Sequence, residues 1–252
     1  MRQGPAFTVC NQAPHEPSQP AQRYYVLAES CCPYLPGRRE RKLITELGDT
    51  QGSALYGVLS RAGFRRSHGF AYRPACSGCS ACIPVRVAAS AFTPGRSLRR
   101  VVRMNAPLCA ELRPARATLE QYQLFSHYID ARHDDGEMEG MTFADYRGMV
   151  EHTRIDTRMV EFRNEDGVLV AACLADWLSD GPSAVYSFFD PKLARSGLGT
   201  YMVVWLIQAA RDAGLPYVYL GYWIEQSPKM SYKTRFRPLE ALGPDGWHTL
   251  AP

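Results

Sequence analysis

Three cysteines, each two residues apart from the next, give the strongest local signal for chemistry in this sequence. Cys76, Cys79 and Cys82 can converge as thiolates on one soft cation, because such cations prefer sulfur ligands. A closed site needs a fourth ligand, for which Cys32 is the natural candidate and Cys31 the second choice. The spacing therefore predicts a zinc or iron–sulfur site, with reduced thiols packed in a loop as the alternative.

Arginines are concentrated in short segments of the first part of the chain. Lysine and arginine outnumber aspartate and glutamate by 15 to 5 in residues 1–110, although the whole chain carries a formal net charge of only +4. Arginine binds phosphate oxygens bidentately, which lysine cannot do. We predict a basic face that binds RNA phosphates, the alternative being a surface that only promotes solubility. The candidate residues are Arg38, Arg41, Arg65, Arg66, Arg99 and Arg100.

A glycine-bearing turn lies between two predicted strands. Residues 184–189 and residues 217–223 are apolar and aromatic, which is typical of buried strands. Gly197 and Gly199 stand between them, directly before an amphipathic helix. A helix that begins after such a turn offers unpaired backbone N–H groups to an anion or an acyl oxygen. The stretch therefore predicts a strand–turn–helix–strand unit that binds an acyl donor.

Polar side chains follow the second of these strands, where a cleft is expected to open. Tyr222, Lys229 and Lys233 can direct proton transfer or bind a leaving group, although a plain surface loop is the alternative. No Ser/His/Asp or Cys/His set suited to nucleophilic catalysis stands out. We therefore predict chemistry that depends mainly on positioning the reactants.

The composition changes near residues 105–107, where we place a domain boundary. Residues 1–22 are polar and rich in proline, which predicts a disordered lead-in. Residues 23–106 are predicted to form a smaller basic α/β domain that contains the cysteine cluster. Residues 107–252 show the element order β, α, α, β, β, β, α, β, which is that of a GNAT-type N-acyltransferase domain. The predicted fold class is therefore α+β, with a mixed sheet flanked by helices.

The sequence carries no pattern that predicts a membrane or secretory location. It has no run of eighteen apolar residues and no apolar segment after a basic N-terminus. We therefore expect a cytoplasmic protein, whose eight cysteines are reduced thiols or metal ligands rather than a disulfide framework.

Longer motifs along the chain resemble those of one protein family. The matching segments are residues 32–38 (CPYLPGR), 40–42 (ERK), 63–68 (GFRRSH), 71–74 (AYRP), 84–87 (PVRV), 132–133 (RH), 185–191 (VYSFFDP), 220–224 (LGYWI), 227–233 (SPKMSYK) and 236–239 (FRPL). Together with the cysteine triplet, they identify the sequence as similar to the bacterial aspartate/glutamate leucyltransferases, relatives of the eukaryotic arginyl-tRNA–protein transferases.

The resemblance implies a reaction and its partners. Such enzymes transfer an amino acid from aminoacyl-tRNA to the N-terminal amine of proteins that begin with Asp or Glu, and the products enter an N-degron pathway of protein degradation. The bacterial branch uses leucyl-tRNA and the eukaryotic branch arginyl-tRNA. No cofactor is needed for the transfer, because the tRNA ester is already activated. An iron–sulfur cluster linked to the eukaryotic branch would involve Cys32, Cys76, Cys79 and Cys82 here.

Residue type and position give the expected roles within the cleft for such a reaction. Tyr222, Lys229 and Lys233 are expected in catalysis, and Arg66, Lys229 and Lys233 in binding the acceptor. The expected donor-binding residues are Asp176, Tyr186, Gly197 and Gly199. An arginyl donor would need a buried acid such as Asp176, whereas a leucyl donor would need an apolar hollow. The six arginines listed above are then expected to contact tRNA.

Three other functions remain open at this stage. The first is arginyl transfer, which charging assays with both tRNAs would distinguish. The second is acetyl transfer from acetyl-CoA, against which the imperfect match of the glycine turn argues. The third is a metal-bearing RNA-binding or redox-sensing protein, which would bind RNA but form no product on a peptide that begins with Asp.

Overall fold

The computed structural model describes residues 21–48, 52–132, 138 and 140–251. Most of the predicted lead-in and His133 of the family motif lie outside these described residues. Within them, no helix is both long and apolar enough to cross a membrane.

A four-stranded antiparallel sheet forms from the first part of the chain. Its strand order is β1-β4-β6-β5, and α1 (Gly52–Arg61) packs on it through the buried Tyr56 and Leu59. A short pair, β2 and β3, lies beside the cysteine-containing loops. The bounds are β1 Tyr24–Val26, β2 Ser30–Cys31, β3 Arg39–Glu40, β4 Lys42–Glu46, β5 Arg65–Ser67 and β6 Phe70–Pro74.

The larger sheet has eight described strands in the order β14-β13-β7-β12-β11-β10-β9-β8. Among these strands β11 and β12 form the parallel pair, and all other neighbours are antiparallel. The bounds are β7 Ile83–Ala88, β8 Cys109–Pro114, β9 Thr157–Arg163, β10 Leu169–Leu178, β11 Gly181–Phe189, β12 Tyr217–Trp223, β13 Leu239–Gly243 and β14 Gly246–Thr249. The predicted α+β class, with a mixed sheet, is confirmed.

Helices cover both faces of the large sheet. Apolar residues of α5, among them Met202 and Leu206, pack with Phe162 and Val87 on one face. Alternate strand residues point to the other face, where α3 and α4 contribute Phe125 and Tyr146 to a second core. The bounds are α2 Arg96–Met104, α3 Leu119–Arg132, α4 Phe143–Glu151 and α5 Leu198–Asp212.

The helix ends follow local sequence signals. Thr118 and Gln121 form a capping box at the start of α3, through bonds of 3.1 and 3.2 Å between side chain and backbone. Thr142 and Asp145 do the same for α4. Gly214 adopts the left-handed conformation (φ 68°) just after α5, which lets the chain leave the helix and enter β12.

The large sheet takes strands from both sides of the predicted domain boundary at residue 106. β7 precedes that boundary, yet it lies between β12 and β13, and α2 packs on α5. The division into residues 23–106 and 107–252 stays a prediction about domains. What the structure adds is that the first segment contributes a central strand to the second segment's sheet.

Candidate active site

A cleft opens where the two parallel strands of the large sheet separate. β11 and β12 are in register only at Ser183 and Tyr219, after which they diverge. The space has a volume of about 710 Å³. Its apolar wall consists of Val185, Phe189, Met202, Val203 and Leu220. A hollow of this character suits an apolar substrate group.

The N-terminus of α5 forms one end of the cleft. Gly197 precedes the helix in the left-handed conformation (φ 73°), and an added Cβ there would lie 3.2 Å from a methyl of Val101. Gly197, Gly199 and Thr200 line the cleft, and the first N–H groups of a helix have no intrahelical acceptor. The end of α5 therefore presents backbone donors and a positive partial charge to the cleft. Tyr186, a third predicted donor-binding residue, also lines it.

Arg65 of the small sheet enters the point where β11 and β12 part. Its guanidinium donates to Ser183 Oγ at 2.8 Å and to the Ala184 carbonyl oxygen. The group lies against Gly221, where an added Cβ would be only 2.9 Å from Arg65 Nε. Gly221 has φ of 78° and lies at an irregularity of β12. Glycine at this position both adopts the left-handed backbone conformation and leaves space for the Arg65 side chain.

Lys233 is a buried amine inside the cleft. It lies on the 3₁₀ helix Pro228–Arg235 and is 6% exposed. Its Nζ donates to the Tyr222 carbonyl oxygen. Burial, followed by the positive charge of Arg65, lowers the pKa of Lys233 to about 7. A substantial fraction of Lys233 is therefore neutral near pH 7, which lets it accept a proton.

The other two predicted catalytic residues differ in their availability. Lys229 is exposed and lines the same cleft. The hydroxyl of Tyr222 is buried, and donates to the carbonyl oxygen of Gly63 at 2.9 Å or of Tyr72 at 3.2 Å. Burial raises the pKa of Tyr222 further above its ordinary value. We therefore correct the catalytic assignment of Tyr222, because its hydroxyl connects the two sheets and is not available to a substrate.

Arg66 and Asp176 form a buried ion pair instead of binding substrates. The exposed fractions of their side chains are 1% and 0%. Arg66 Nε lies 2.9 Å and 3.0 Å from the two carboxylate oxygens, and Thr157 Oγ1 donates to the same carboxylate at 2.8 Å. A side chain enclosed in this way cannot reach tRNA, the acceptor or the donor. The predicted tRNA and acceptor roles of Arg66 and the donor role of Asp176 are therefore wrong.

Four arginines form a stripe on the solvent face of α2. Leu98 anchors the opposite face in the core, and Asn105 Nδ2 donates to the Ser196 carbonyl oxygen at 2.9 Å, next to the glycine turn of the cleft. In the part of the chain that the structure describes, no acidic side chain pairs with the stripe. The stripe consists of Arg96, Arg99, Arg100 and Arg103. Predicted contacts of Arg99 and Arg100 with phosphates are therefore compatible with their positions.

The remaining predicted tRNA contacts lie near the cysteine loops. Arg38 is exposed, and Arg41 forms an ion pair of 3.0 Å with Glu29 at the surface. Both line a cavity of about 300 Å³ together with Cys76 and Cys79. Their contact with RNA stays a prediction.

The four cysteines of the predicted metal site are neighbours. Burial, together with the nearby thiols of Cys32, Cys76 and Cys79, raises the pKa of Cys82 to about 11. The Arg41 backbone N–H donates to Cys76 Sγ at 3.4 Å. Across the described residues, however, no group of three or more His, Cys, Asp or Glu side chains is arranged to hold a metal ion. A metal at these cysteines therefore stays a prediction, and no step below depends on one.

The sequence analysis missed Arg65 as a cleft residue. Arg65 and Arg66 are adjacent on β5, and successive side chains of a strand point to opposite faces. That rule could have excluded a shared role, because one of the two had to face away from any common partner. It could not show which arginine faces the cleft, since that depends on how the small sheet packs on β11.

The chain is similar to known proteins in both sequence and structure. Residues 30–100 match the family model described as "Arginine-tRNA-protein transferase, N terminus", and residues 120–243 match "Arginine-tRNA-protein transferase, C terminus". A protein of Paramagnetospirillum magneticum named aspartate/glutamate leucyltransferase is 57% identical, over 94% of this chain and 98% of the relative. One of the same name from Rhodospirillum rubrum is 54% identical, over 89% and 92%.

Solved structures are similar at a coarser level. L-PGS from Bacillus licheniformis matches 71% of this chain and 52% of its own, with 16% identity and a TM-score of 0.45. FemX matches 75% and 65%, with 9% identity and a TM-score of 0.45. The family assignment rests on the sequence matches, which cover both halves of the chain and confirm the predicted resemblance. The chain belongs to the arginine-tRNA-protein transferase family and, within it, groups with the aspartate/glutamate leucyltransferases.

Proposed function

We propose that the chain transfers leucine from leucyl-tRNA to the N-terminal amine of proteins that begin with Asp or Glu. The observation that supports this proposal is the charge of the residues that line the cleft. Three basic residues line it, Arg65, Lys229 and Lys233, and none of the described lining residues is an Asp or Glu. A cleft of this kind favours an acidic acceptor and an apolar donor group.

The same observation favours a leucyl over an arginyl donor. An arginyl side chain would need a carboxylate to balance its charge on leaving water. The one buried acid considered for that role, Asp176, is fully enclosed with Arg66 and does not line the cleft. The apolar wall of β11, β12 and α5 supports leucine instead.

The geometry supports direct attack of the acceptor amine on the tRNA ester. The amine nitrogen bonds to the ester carbonyl carbon, and the bond from that carbon to the tRNA ribose oxygen breaks. Lys233 takes the proton that the amine loses and returns it to the departing ribose oxygen. The N-terminus of α5 offers donors to the carbonyl oxygen, on which negative charge develops. Both substrates are held in one cleft, so positioning contributes much of the rate.

The proposed partners are leucyl-tRNA and proteins with an N-terminal Asp or Glu. Both meet in the cytoplasm, where we place the reaction. The product carries an N-terminal leucine, and we propose that it enters an N-degron pathway of protein degradation.

A transfer assay tests the donor and the acceptor together. Radiolabelled leucyl-tRNA and arginyl-tRNA are each offered to peptides that differ only in their first residue, Asp, Glu or Ala. We expect labelled product from leucyl-tRNA with the Asp and Glu peptides, and far less from the other combinations. Equal labelling of the Ala peptide, or labelling from arginyl-tRNA alone, would contradict the proposal.

Replacing Arg99 and Arg100 by alanine tests the arginine stripe of α2. Each arginine that contacts a phosphate releases about one counterion when it binds, so we expect weaker tRNA binding and a salt slope smaller by about one per lost contact. Filter binding at several salt concentrations measures both quantities. Arg113→Ala is the control for the loss of one positive charge, which it removes from an exposed ion pair on β8. Unchanged affinity and slope in the double variant would assign the stripe to solubility alone.

A further inference from the structure

Among the three basic residues in the described lining of the cleft, Arg65 combines a permanent charge with partial burial. The pKa of Lys233 is lowered, so Lys233 is only partly cationic near pH 7. Lys229 is exposed to solvent, which screens its charge. A guanidinium stays protonated throughout the physiological range, and Arg65 is half-buried where solvent screens it less.

The guanidinium is held in place but retains bonding capacity. Among the described residues, Arg65 donates hydrogen bonds to Ser183 and Ala184. These bonds occupy two of its five N–H donors. Gly221 leaves room for the planar group, because any side chain there would collide with it. A pre-positioned fork of this kind binds a carboxylate with little loss of entropy.

Arg65 also lies near Lys233, the residue proposed to take the proton of the acceptor amine. Arg65 lies against Gly221, and Lys233 Nζ donates to the carbonyl oxygen of the next residue, Tyr222, so the two are neighbours in the same cleft. In an N-terminal Asp or Glu, the α-amine and the side-chain carboxylate are only a few bonds apart. A carboxylate on Arg65 would therefore leave the α-amine near Lys233.

On the basis of the proposed leucyl transfer, we propose that Arg65 binds the side-chain carboxylate of the acceptor's first residue and sets the preference for Asp and Glu. The charge-neutral counterparts Asn and Gln cannot complete an ion pair with this guanidinium, although their size is nearly the same. Discrimination between Asp and Asn is therefore the property that Arg65 should control.

The experiment measures kcat/KM with leucyl-tRNA for peptides that begin with Asp or Asn and are otherwise identical. For Arg65→Gln we expect the Asp-to-Asn ratio to fall by about 10- to 100-fold, the loss typical of a charge-assisted hydrogen bond. The KM for leucyl-tRNA should stay near the wild-type value. Arg65→Lys keeps the charge without the fork, so its ratio should lie between those of wild type and Arg65→Gln.

Ser183→Ala separates recognition from a purely structural role. It removes one partner of Arg65 and keeps the guanidinium, so the Asp-to-Asn ratio should stay close to wild type. If Arg65 only joined the sheets, Ser183→Ala and Arg65→Gln would both lower overall activity and leave the ratio unchanged. That result would overturn the assignment. A fall of the Asp-to-Asn ratio in Lys229→Gln, with the wild-type ratio kept in Arg65→Gln, would overturn it as well.

Failure of the proposed function would look different. Wild-type protein that transfers leucine to none of the peptides would overturn leucyl transfer and, with it, the role of Arg65. An active wild type with an unchanged ratio in both Arg65 variants would overturn the role of Arg65 alone. Thermal unfolding checks that each variant is folded, and Arg65→Lys supplies the test should Arg65→Gln not fold.

Discussion

Lys233→Met is expected to lower kcat for transfer to an Asp peptide by about 10²- to 10⁴-fold, the range of a lost general base. Methionine preserves the length and apolar character of the buried stem but cannot carry a proton. Lys233 also has the pKa, about 7, at which an amine can take a proton from the acceptor and release it again. Steady-state transfer kinetics with saturating leucyl-tRNA measure the effect.

The pH dependence distinguishes this role from simple packing. Activity of the wild type should rise with pH through about 7, because Lys233 must be neutral to accept a proton. The acceptor amine titrates separately, at about 7.7 to 8.0. In Lys233→Met the inflection near 7 should disappear while that of the amine persists. Lys229→Met, with the same charge change in the same cleft, serves as the control and should keep both inflections. A Lys233→Met protein within about twofold of wild-type kcat would refute the assignment.

Stability should also increase with pH, over the range above the folded pKa of Lys233. The folded pKa of Lys233 lies below the value of 10.5 expected for an unfolded chain. Between these values the unfolded chain binds more protons, so the free energy of unfolding should rise as pH increases from about 7 towards 10.5. This dependence should be weaker in Lys233→Met, as denaturant titrations at two pH values can show. A buried basic residue that costs stability is typical of a functional site.

Asp176→Asn is expected to reduce the free energy of unfolding by about 3 to 5 kcal/mol, because it leaves the Arg66 guanidinium buried without its counter-charge. The carboxylate also accepts from Thr157, so the substitution disturbs bonds on β5, β9 and β10 together. Urea or guanidinium denaturation measures the loss. The variant should bind tRNA normally once folded, since neither residue reaches a substrate.

Two further variants define what the result means. Asp156→Asn breaks an exposed pair with Arg158 of similar length, 2.9 Å, and should cost at most about 1 kcal/mol. Replacing Arg66 and Asp176 together by apolar residues should recover much of the loss, since no charge is then left unpaired. A loss below about 1 kcal/mol in Asp176→Asn would mean that the pair is more hydrated than its enclosure indicates.

Local signals in the sequence predicted the strand–turn–helix–strand unit of β11, α5 and β12 well. The bounds of β12 agree with the apolar run of residues 217–223, because Gly214 and Pro216 isolate that run from α5. The capping boxes of α3 and α4 are local signals of the same kind, because each is formed by two residues three positions apart. The arginine-rich segment of α2 was interpreted only by its charge, although Leu98, Val101 and Val102 have helical spacing beneath the arginines.

The arrangement of the cleft could be predicted less well, since it depends on contacts between distant segments. Nothing near Asp176 in the sequence indicates that Arg66 will meet it, and the two are 110 positions apart. Likewise, the hydroxyl of Tyr222 bonds to Gly63, which lies 159 positions earlier. Residue type therefore identified candidates, while the packing of the small sheet on the large one decided which side chains face the cleft.

The place of β7 in the large sheet sets an order for folding during synthesis. Both neighbours of this strand, β12 and β13, are translated long after it. Until then β7 has two open edges, which are prone to pair with other chains, and Arg86 gives its apolar run a charge that opposes such pairing. In the finished protein the same guanidinium is stacked 3.5 Å from the Tyr217 ring and 4.2 Å from the Trp247 ring. Because β12 is also a wall of the cleft, a nascent chain interrupted before β12 would lack the cleft and leave β7 exposed to aggregation.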